Sequence, residues 1–321
     1  HQIDEHLEEL ARLADTAGAV VVGGLTQRLD RPDPATYLGQ GKIEELRALV
    51  DAEQATLVIF DDELTPAQGR NVEEVTGRRV MDRAELILDI FATRARTSEA
   101  KLQVELAQLE YMLPRLTRMW AHLEGQRGGI GMRGPGETQL ETDRRLINQR
   151  IRLLKDRLTD VERARVIQRQ SRKQSFRVSL VGYTNAGKSS ILRALSGAAD
   201  IFVEDRLFAT LDPLTREVEL EGNTRILLTD TVGFIRKLPH NLVASFRATL
   251  EEVTEADLLL HVVDASHPAW EEQKAVVEQV LAEIGAAEKP VVFAFNKMDM
   301  VPLATRAPFM ERCLLYTSPS P

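Results

Sequence analysis

GYTNAGKS, Gly182 to Ser189, places two glycines around a four-residue interval and ends in Lys-Ser. This spacing suits phosphate binding. Backbone amides of the loop wrap the oxygens, the Lys188 ammonium reaches the β and γ phosphates, and the Ser189 hydroxyl ligates Mg²⁺. Gly182, Asn185, Ala186, Gly187 and Ser190 belong to the same cradle. The stretch stands between an apolar run, FRVSLVG, and a helical one, SILRALSG, as the chemistry requires. About forty residues on, the apolar run RILLTD ends in Asp230, with Gly233 three positions later. Such a pair supplies a metal-side carboxylate and an amide for a γ-phosphate; alone it is weak, and after a phosphate loop it is much stronger. NKMD, Asn296 to Asp299, follows PVVFAFN. Guanine presents two adjacent N–H donors that one carboxylate can accept together, and adenine does not, so Asp299 should select guanine. Asn296 then braces the loop, and the Lys297 stem lies along the base.

Phe234, immediately after Gly233, stands where a hydrolase would be expected to hold a polar side chain to orient water. Slow intrinsic turnover is the expectation, with a cation or a partner completing the site. If the ring has no catalytic contact, Phe234→Ala should change basal turnover little.

The elements that position these residues fall into three regions. The expected class is α/β: a small N-terminal α/β domain at 1–98, a coiled-coil-like helical hairpin at 99–175, and a phosphate-loop domain at 176–310 with a mostly parallel sheet. In the first, AVVVGG, TLVIFDDEL and RRVMDR read as strands, and KIEELRALVDA, TPAQGRNVEEVTG and AELILDIFATRA as helices. Within it, TYLGQGKIEEL could bind an anion at a helix start, but a tight turn needing glycine is the preferred reading. In the hairpin, Leu102, Leu106, Leu109, Leu113 and Leu116, then Ile147, Ile151, Leu154, Leu158 and Val161, recur at spacings of four and three. Pro114 should interrupt the first arm. Residues 125–139, with six glycines and one proline, are expected to form a loop at the tip. In the third region, apolar strands alternate with helices, and REVEL with RILLTD should form a hairpin.

Composition limits the alternatives. The lone Cys313 excludes an internal disulfide, no apolar run is long enough to span a bilayer, and the expected compartment is the cytoplasm. Between Tyr111 and Phe176 there are fifteen Arg or Lys against seven Asp or Glu, a balance of +8 in a chain of net charge −8, so the remainder carries −16. A basic middle fits nucleic-acid phosphates or a solvated helix surface. Arg127 and Arg133, amid the glycines, are the candidates for RNA contact; a merely flexible linker is the competing reading.

With TYLGQGKIEEL, GGIGMRGPGETQLETDRR, GYTNAGKS, LFATLDPLTR and DTVGFIRKLPH in order, the chain resembles the HflX family of ribosome-associated GTPases from about Leu7 to about Met300. That resemblance implies GTP as substrate, Mg²⁺ as cofactor, and binding to the large ribosomal subunit and its RNA, with splitting of stalled or idle ribosomes. It also implies that Thr210 is the switch threonine on Mg²⁺ and the γ-phosphate, joining Lys188 and Gly233 as catalytic groups; Thr215 is the competitor within reach. Asn185 matches the asparagine through which several GTPases hold K⁺, and an ordinary loop asparagine fits equally. A monomer is expected away from the ribosome. Two other readings stand beside this one: a nucleotide-gated RNA-binding module with incidental hydrolysis, and a small-molecule hydrolase, which would not need a basic hairpin. After NKMD the resemblance stops. The guanine-oxygen loop and closing helix expected of a complete domain are not recognisable, and 311–321, containing CLLYTSPSP, reads as a foreign tail on a truncated chain.

Overall fold

The structure, a computed structural model, describes residues 2–28, 30–116, 135–170, 175–198, 206–239, 242–243, 246–307 and 309. Arg127, Arg133, the tail at 311–321 and most of the glycine-rich segment lie outside those residues. The chain divides into two compact units, residues 1–93 with 102–159 and residues 94–101 with 160–321.

The first unit begins with α1 (Gln2–Thr16) and α2 (Gln40–Ala52), followed by β1 (Leu57–Phe60), α3 (Pro66–Thr76), β2 (Arg79–Asp82) and α4 (Arg83–Arg94). The two strands run parallel, in register from Leu57↔Arg79 to Phe60↔Asp82. Ile43, Leu46 and Val50 of α2 bury against Val58, Phe60, Val72 and Val80. Helix α3 is written fully in its sequence: Thr65 and Gln68 form a capping box, Pro66 opens the first turn, and Gly77 closes it at φ 64°. AVVVGG is not a strand. It has no ladder partner among the described residues, and Val20, Val21 and Val22 are 86%, 52% and 50% exposed; apolar composition makes no strand without an edge to pair with. The turn before α2 also differs from expectation. Gly39 caps the helix at φ −64°, and the left-handed residue is Tyr37, at φ 67°, whose hydroxyl bonds Asp62.

The helical arms are α5 (Ser98–Met112) and α6 (Pro135–Gln170). Pro114 sits in a 3-10 turn, Leu113–Arg115, that interrupts the first arm, and Leu116 beyond it is helical again. Leu106 packs with Ile151, Leu154 and Leu158, and Leu102, Leu109, Leu113 and Ile147 flank them, as the two spacings require. Arg150 makes a two-pronged bond to Glu105 at 2.6 and 2.9 Å, and Lys155 reaches Glu110 at 2.8 Å. Residues 135–139, expected as loop, already belong to α6. Pro135 opens that helix at a position where a missing N–H costs nothing.

In the second unit five strands form one sheet in the order β4-β5-β3-β6-β7: β3 (Phe176–Gly182), β4 (Leu214–Leu220), β5 (Thr224–Asp230), β6 (Leu258–Asp264) and β7 (Val291–Asn296). All neighbours are parallel except β4 and β5, the expected hairpin. Helices α7 (Lys188–Ser196), α8 (Arg247–Thr254) and α9 (Trp270–Glu283) alternate with the strands. Val178, Leu180, Leu192, Ile226, Leu228 and Val262 form the core beneath the loops that follow the strands. Those loops leave the carboxyl ends of β3, β5, β6 and β7, where parallel sheets place their ligands.

Candidate nucleotide site

The loop from Gly182 to Ser189 is held from three sides. Gly182 O accepts from Phe234 N at 3.1 Å and Phe234 O accepts from Thr184 N at 2.7 Å, so the segment after Gly233 is stitched to the loop. Asn296 Nδ2 donates to Ala186 O at 2.9 Å, and Lys297 Nζ donates to Asn185 O at 3.0 Å and to Asp264 Oδ2 at 2.7 Å. Asn296 therefore braces the phosphate loop directly, and the Lys297 ammonium ties it to the end of β6. Asp299 is exposed in the 3-10 turn Met298–Met300.

Two glycines are fixed by close approach. Gly187 lies at φ 97°, and a Cβ there would stand 2.1 Å from Asn296 Nδ2. A Cβ on Gly233 would stand 2.6 Å from Thr184 Cα and 2.9 Å from Lys188 Nζ. Asn185 adopts φ 61°, a conformation asparagine tolerates better than most side chains.

Lys188 is buried, and its ammonium donates to the carbonyls of Gly182 and Tyr183 at 3.2 and 3.0 Å. Burial pulls its pKa down to about 8, against the opposing attraction of Asp230. Burial likewise pushes the Asp230 carboxyl up, while Lys188, Ser189 and Thr210 pull it down. Ser189 Oγ donates to Asp230 Oδ2 at 2.5 Å and lies 2.8 Å from Thr210 Oγ1, while Asp230 Oδ1 is buried without a partner among the described residues. Two hydroxyls and a carboxylate thus converge, and the orphaned oxygen is what a hard cation would satisfy; this donor set fits Mg²⁺. Thr215 lies instead on β4, its hydroxyl 2.9 Å from Thr229 Oγ1.

The cavity over the loop is lined by Asn185, Gly187, Lys188, Ser189, Ser190, Thr210 and Gly233, together with Thr184, Arg206 and Phe208, which the motifs had not singled out. Thr184 Oγ1 accepts from Phe208 N at 2.8 Å. Asp264 was also missed, although a carboxylate ending a parallel strand is a readable signal. Phe234 is completely buried. Its ring is held in the core away from solvent, so Phe234→Ala would excavate that core, and Phe234→Leu is the cleaner probe.

Comparison with known proteins covers almost the whole chain. Residues 4–92 match the family described as GTP-binding GTPase N-terminal, 94–172 the GTP-binding GTPase middle region, and 177–297 the 50S ribosome-binding GTPase family. The GTPase HflX of Flavobacterium psychrophilum is 52% identical over 298 residues, 93% of this chain and 72% of that protein. That of Escherichia coli K12 is 50% identical over 299 residues, 92% of this chain and 70% of that protein. A GTP-binding protein from the archaeon Sulfolobus solfataricus, solved in complex with GDP, is similar in structure with a TM-score of 0.51 and 26% identity, over 98% of this chain and 87% of that one.

Proposed function

The chain belongs to the HflX family of GTPases, and on that premise we propose that it is a GTP-driven switch that docks on the large ribosomal subunit and promotes the splitting of ribosomes. Hydrolysis of GTP and association with the ribosome are properties of the family; the choice of subunit and the splitting are the proposal. The observation that supports a switch is the meeting of Ser189 and Thr210 hydroxyls at the Asp230 carboxylate, whose second oxygen is buried and unpartnered.

In this reading Ser189 and Thr210, with Asp230 behind them, would hold Mg²⁺, which when bound would supply positive charge against the terminal phosphates. Lys188 exchanges its two carbonyl partners for β and γ oxygens. The Gly233 amide meets the γ-phosphate, where a side chain would collide with Lys188. The amides from Asn185 to Ser190 line the phosphates. Asp299 reads guanine, and Asn296 and Lys297 couple the base loop to the phosphate loop. Phe234, buried, offers no hydrogen bond to water, so polarity is supplied by K⁺ at Asn185 or by the ribosome. Arg127 and Arg133 are proposed to contact ribosomal RNA, and the protein to act as a monomer until it docks.

The test measures GTP turnover with and without purified large subunits, and follows intact ribosomes on sucrose gradients with a non-hydrolysable GTP analogue or GDP. Stimulation by large subunits, and subunit release with the analogue only, are expected. Binding to RNA with no stimulation would favour the nucleotide-gated RNA module. Equal turnover in K⁺ and Na⁺ would remove the role given to Asn185.

A further inference from the structure

Two residues beyond Thr210, Asp212 makes a contact that nothing in nucleotide binding requires. Its carboxylate accepts from the backbone N–H of Arg96 at 3.0 Å and of Thr97 at 3.4 Å, and it also accepts a short hydrogen bond from the Thr97 hydroxyl. Thr97 is in turn the cap of α5. Its Oγ1 accepts from Ala100 N at 3.1 Å, and its carbonyl accepts from Lys101 N at 3.1 Å. Residues 94–101 belong to the same compact unit as the five-stranded sheet.

The stretch between the two contacts is short and stiff. Leu207, Phe208 and Leu211 are buried on one side of it. On the other, Pro213 fixes its own φ and disfavours helical backbone at Asp212, which lies in a bend. Thr210 is therefore suspended between a buried apolar anchor and the carboxylate clamp on Thr97, with its hydroxyl 2.8 Å from Ser189 Oγ. We propose that Asp212 is a positioning residue for Thr210: by gripping the cap of α5 it holds the Thr210 hydroxyl at the γ-phosphate side of the site, and so couples nucleotide state to the first turn of that helix. The inference rests on the reading of Thr210 as the γ-phosphate-sensing threonine.

Because coupling is reciprocal, the clamp strengthens binding of the nucleotide that engages Thr210 and leaves unchanged the one that does not. A helix cap with no such role would affect both nucleotides alike. The experiment compares this chain with its Asp212→Ala, Thr97→Val and Thr97→Ser variants for affinity toward GDP and toward a non-hydrolysable GTP analogue, and for kcat and KM with GTP. Asp212→Ala should leave GDP affinity within about twofold and weaken the analogue on the order of tenfold, the size of one charge-assisted hydrogen-bond set. Thr97→Val should reproduce part of that loss and Thr97→Ser should not. The double variant Asp212→Ala/Thr97→Val should lose no more than Asp212→Ala alone, since both remove one interaction.

Equal weakening of GDP and analogue, or additive losses in the double variant, would overturn the proposal and leave Asp212 a simple cap. Thr210→Ala separates the two levels. If it does not weaken the analogue selectively, the reading of Thr210 fails and the positioning role with it; if it does while Asp212→Ala binds the analogue like the parent, only the positioning role fails.

Discussion

Both compact units bury a basic side chain among carboxylates, and they treat it in opposite ways. In the first unit Arg83 is 1% exposed and is answered by two carboxylates, Asp61 at 2.7 Å and Glu9 in a shorter contact. In the second, Lys188 is 6% exposed and, among the described residues, donates to the carbonyls of Gly182 and Tyr183 and sits near a carboxylate with one unpartnered oxygen. A buried charge that the protein satisfies itself is part of the scaffold. One left with neutral partners and a lowered pKa is arranged for a charge yet to arrive, and perturbed groups in a cleft mark functional sites for that reason.

The largest effect expected from breaking this contrast is on the scaffold side. Arg83→Leu removes the buried guanidinium that Glu9 and Asp61 answer and should cost about 3–5 kcal/mol of stability in the first unit, read as an early thermal or urea transition. GTP turnover per folded molecule should persist; turnover lost in step with Arg83 at unchanged stability would erase the distinction. Lys188→Met should do the reverse. Turnover should fall by roughly 10²–10³-fold, the loss expected for one transition-state electrostatic contact, with a smaller shift in melting temperature than Arg83→Leu causes. Gly233→Ala stands between them. Its methyl meets Thr184 backbone and the Lys188 ammonium, so analogue affinity should drop while GDP affinity changes less, with about 1–3 kcal/mol of strain to relieve.

The same contrast explains what the sequence could disclose. Lys188, Ser189, Asp230 and Asn296 were readable because phosphate and guanine impose residue types at fixed spacings, and the structure brings Lys188 and Ser189 to one cavity, with Asp230 bonded to Ser189 and Asn296 bracing the loop. The leucine spacing of the helical arms was readable because a helix's apolar periodicity is local. Arg83 and its partners gave no signal, since Glu9, Asp61 and Arg83 meet only through the tertiary fold. The clamp of Asp212 on Thr97 spans 115 positions and was invisible for the same reason. AVVVGG misled because a valine run states a preference for strand but cannot provide the neighbouring edge. Thr210 and Thr215 could not be separated by spacing alone; they point to different places because β4 begins between them, at Leu214.

An orphaned buried atom is not by itself a ligand site, and His261 tests that limit. It lies on β6 beside Val181, is 1% exposed, has an unpartnered Nδ1, and packs against Phe293. Burial first, then the charges of Lys274 and Lys188, hold its pKa down to about 3. A histidine depressed in the folded state stabilises it above the unfolded value near 6.5, and that contribution is lost as pH falls toward the folded value. Between pH 7 and pH 5 the chain should lose about 2 kcal/mol from this group, at about 1.4 kcal/mol per pH unit below 6.5. Urea midpoints at the two pH values should show a loss of that size in the parent and a flatter profile in His261→Phe. GDP affinity of the variant at pH 7 should stay within about twofold of the parent, because among the described residues the ring makes no hydrogen bond to the loop. A tenfold fall in affinity would instead place His261 with Lys188 and Asp230, among the groups arranged for a ligand rather than for the fold.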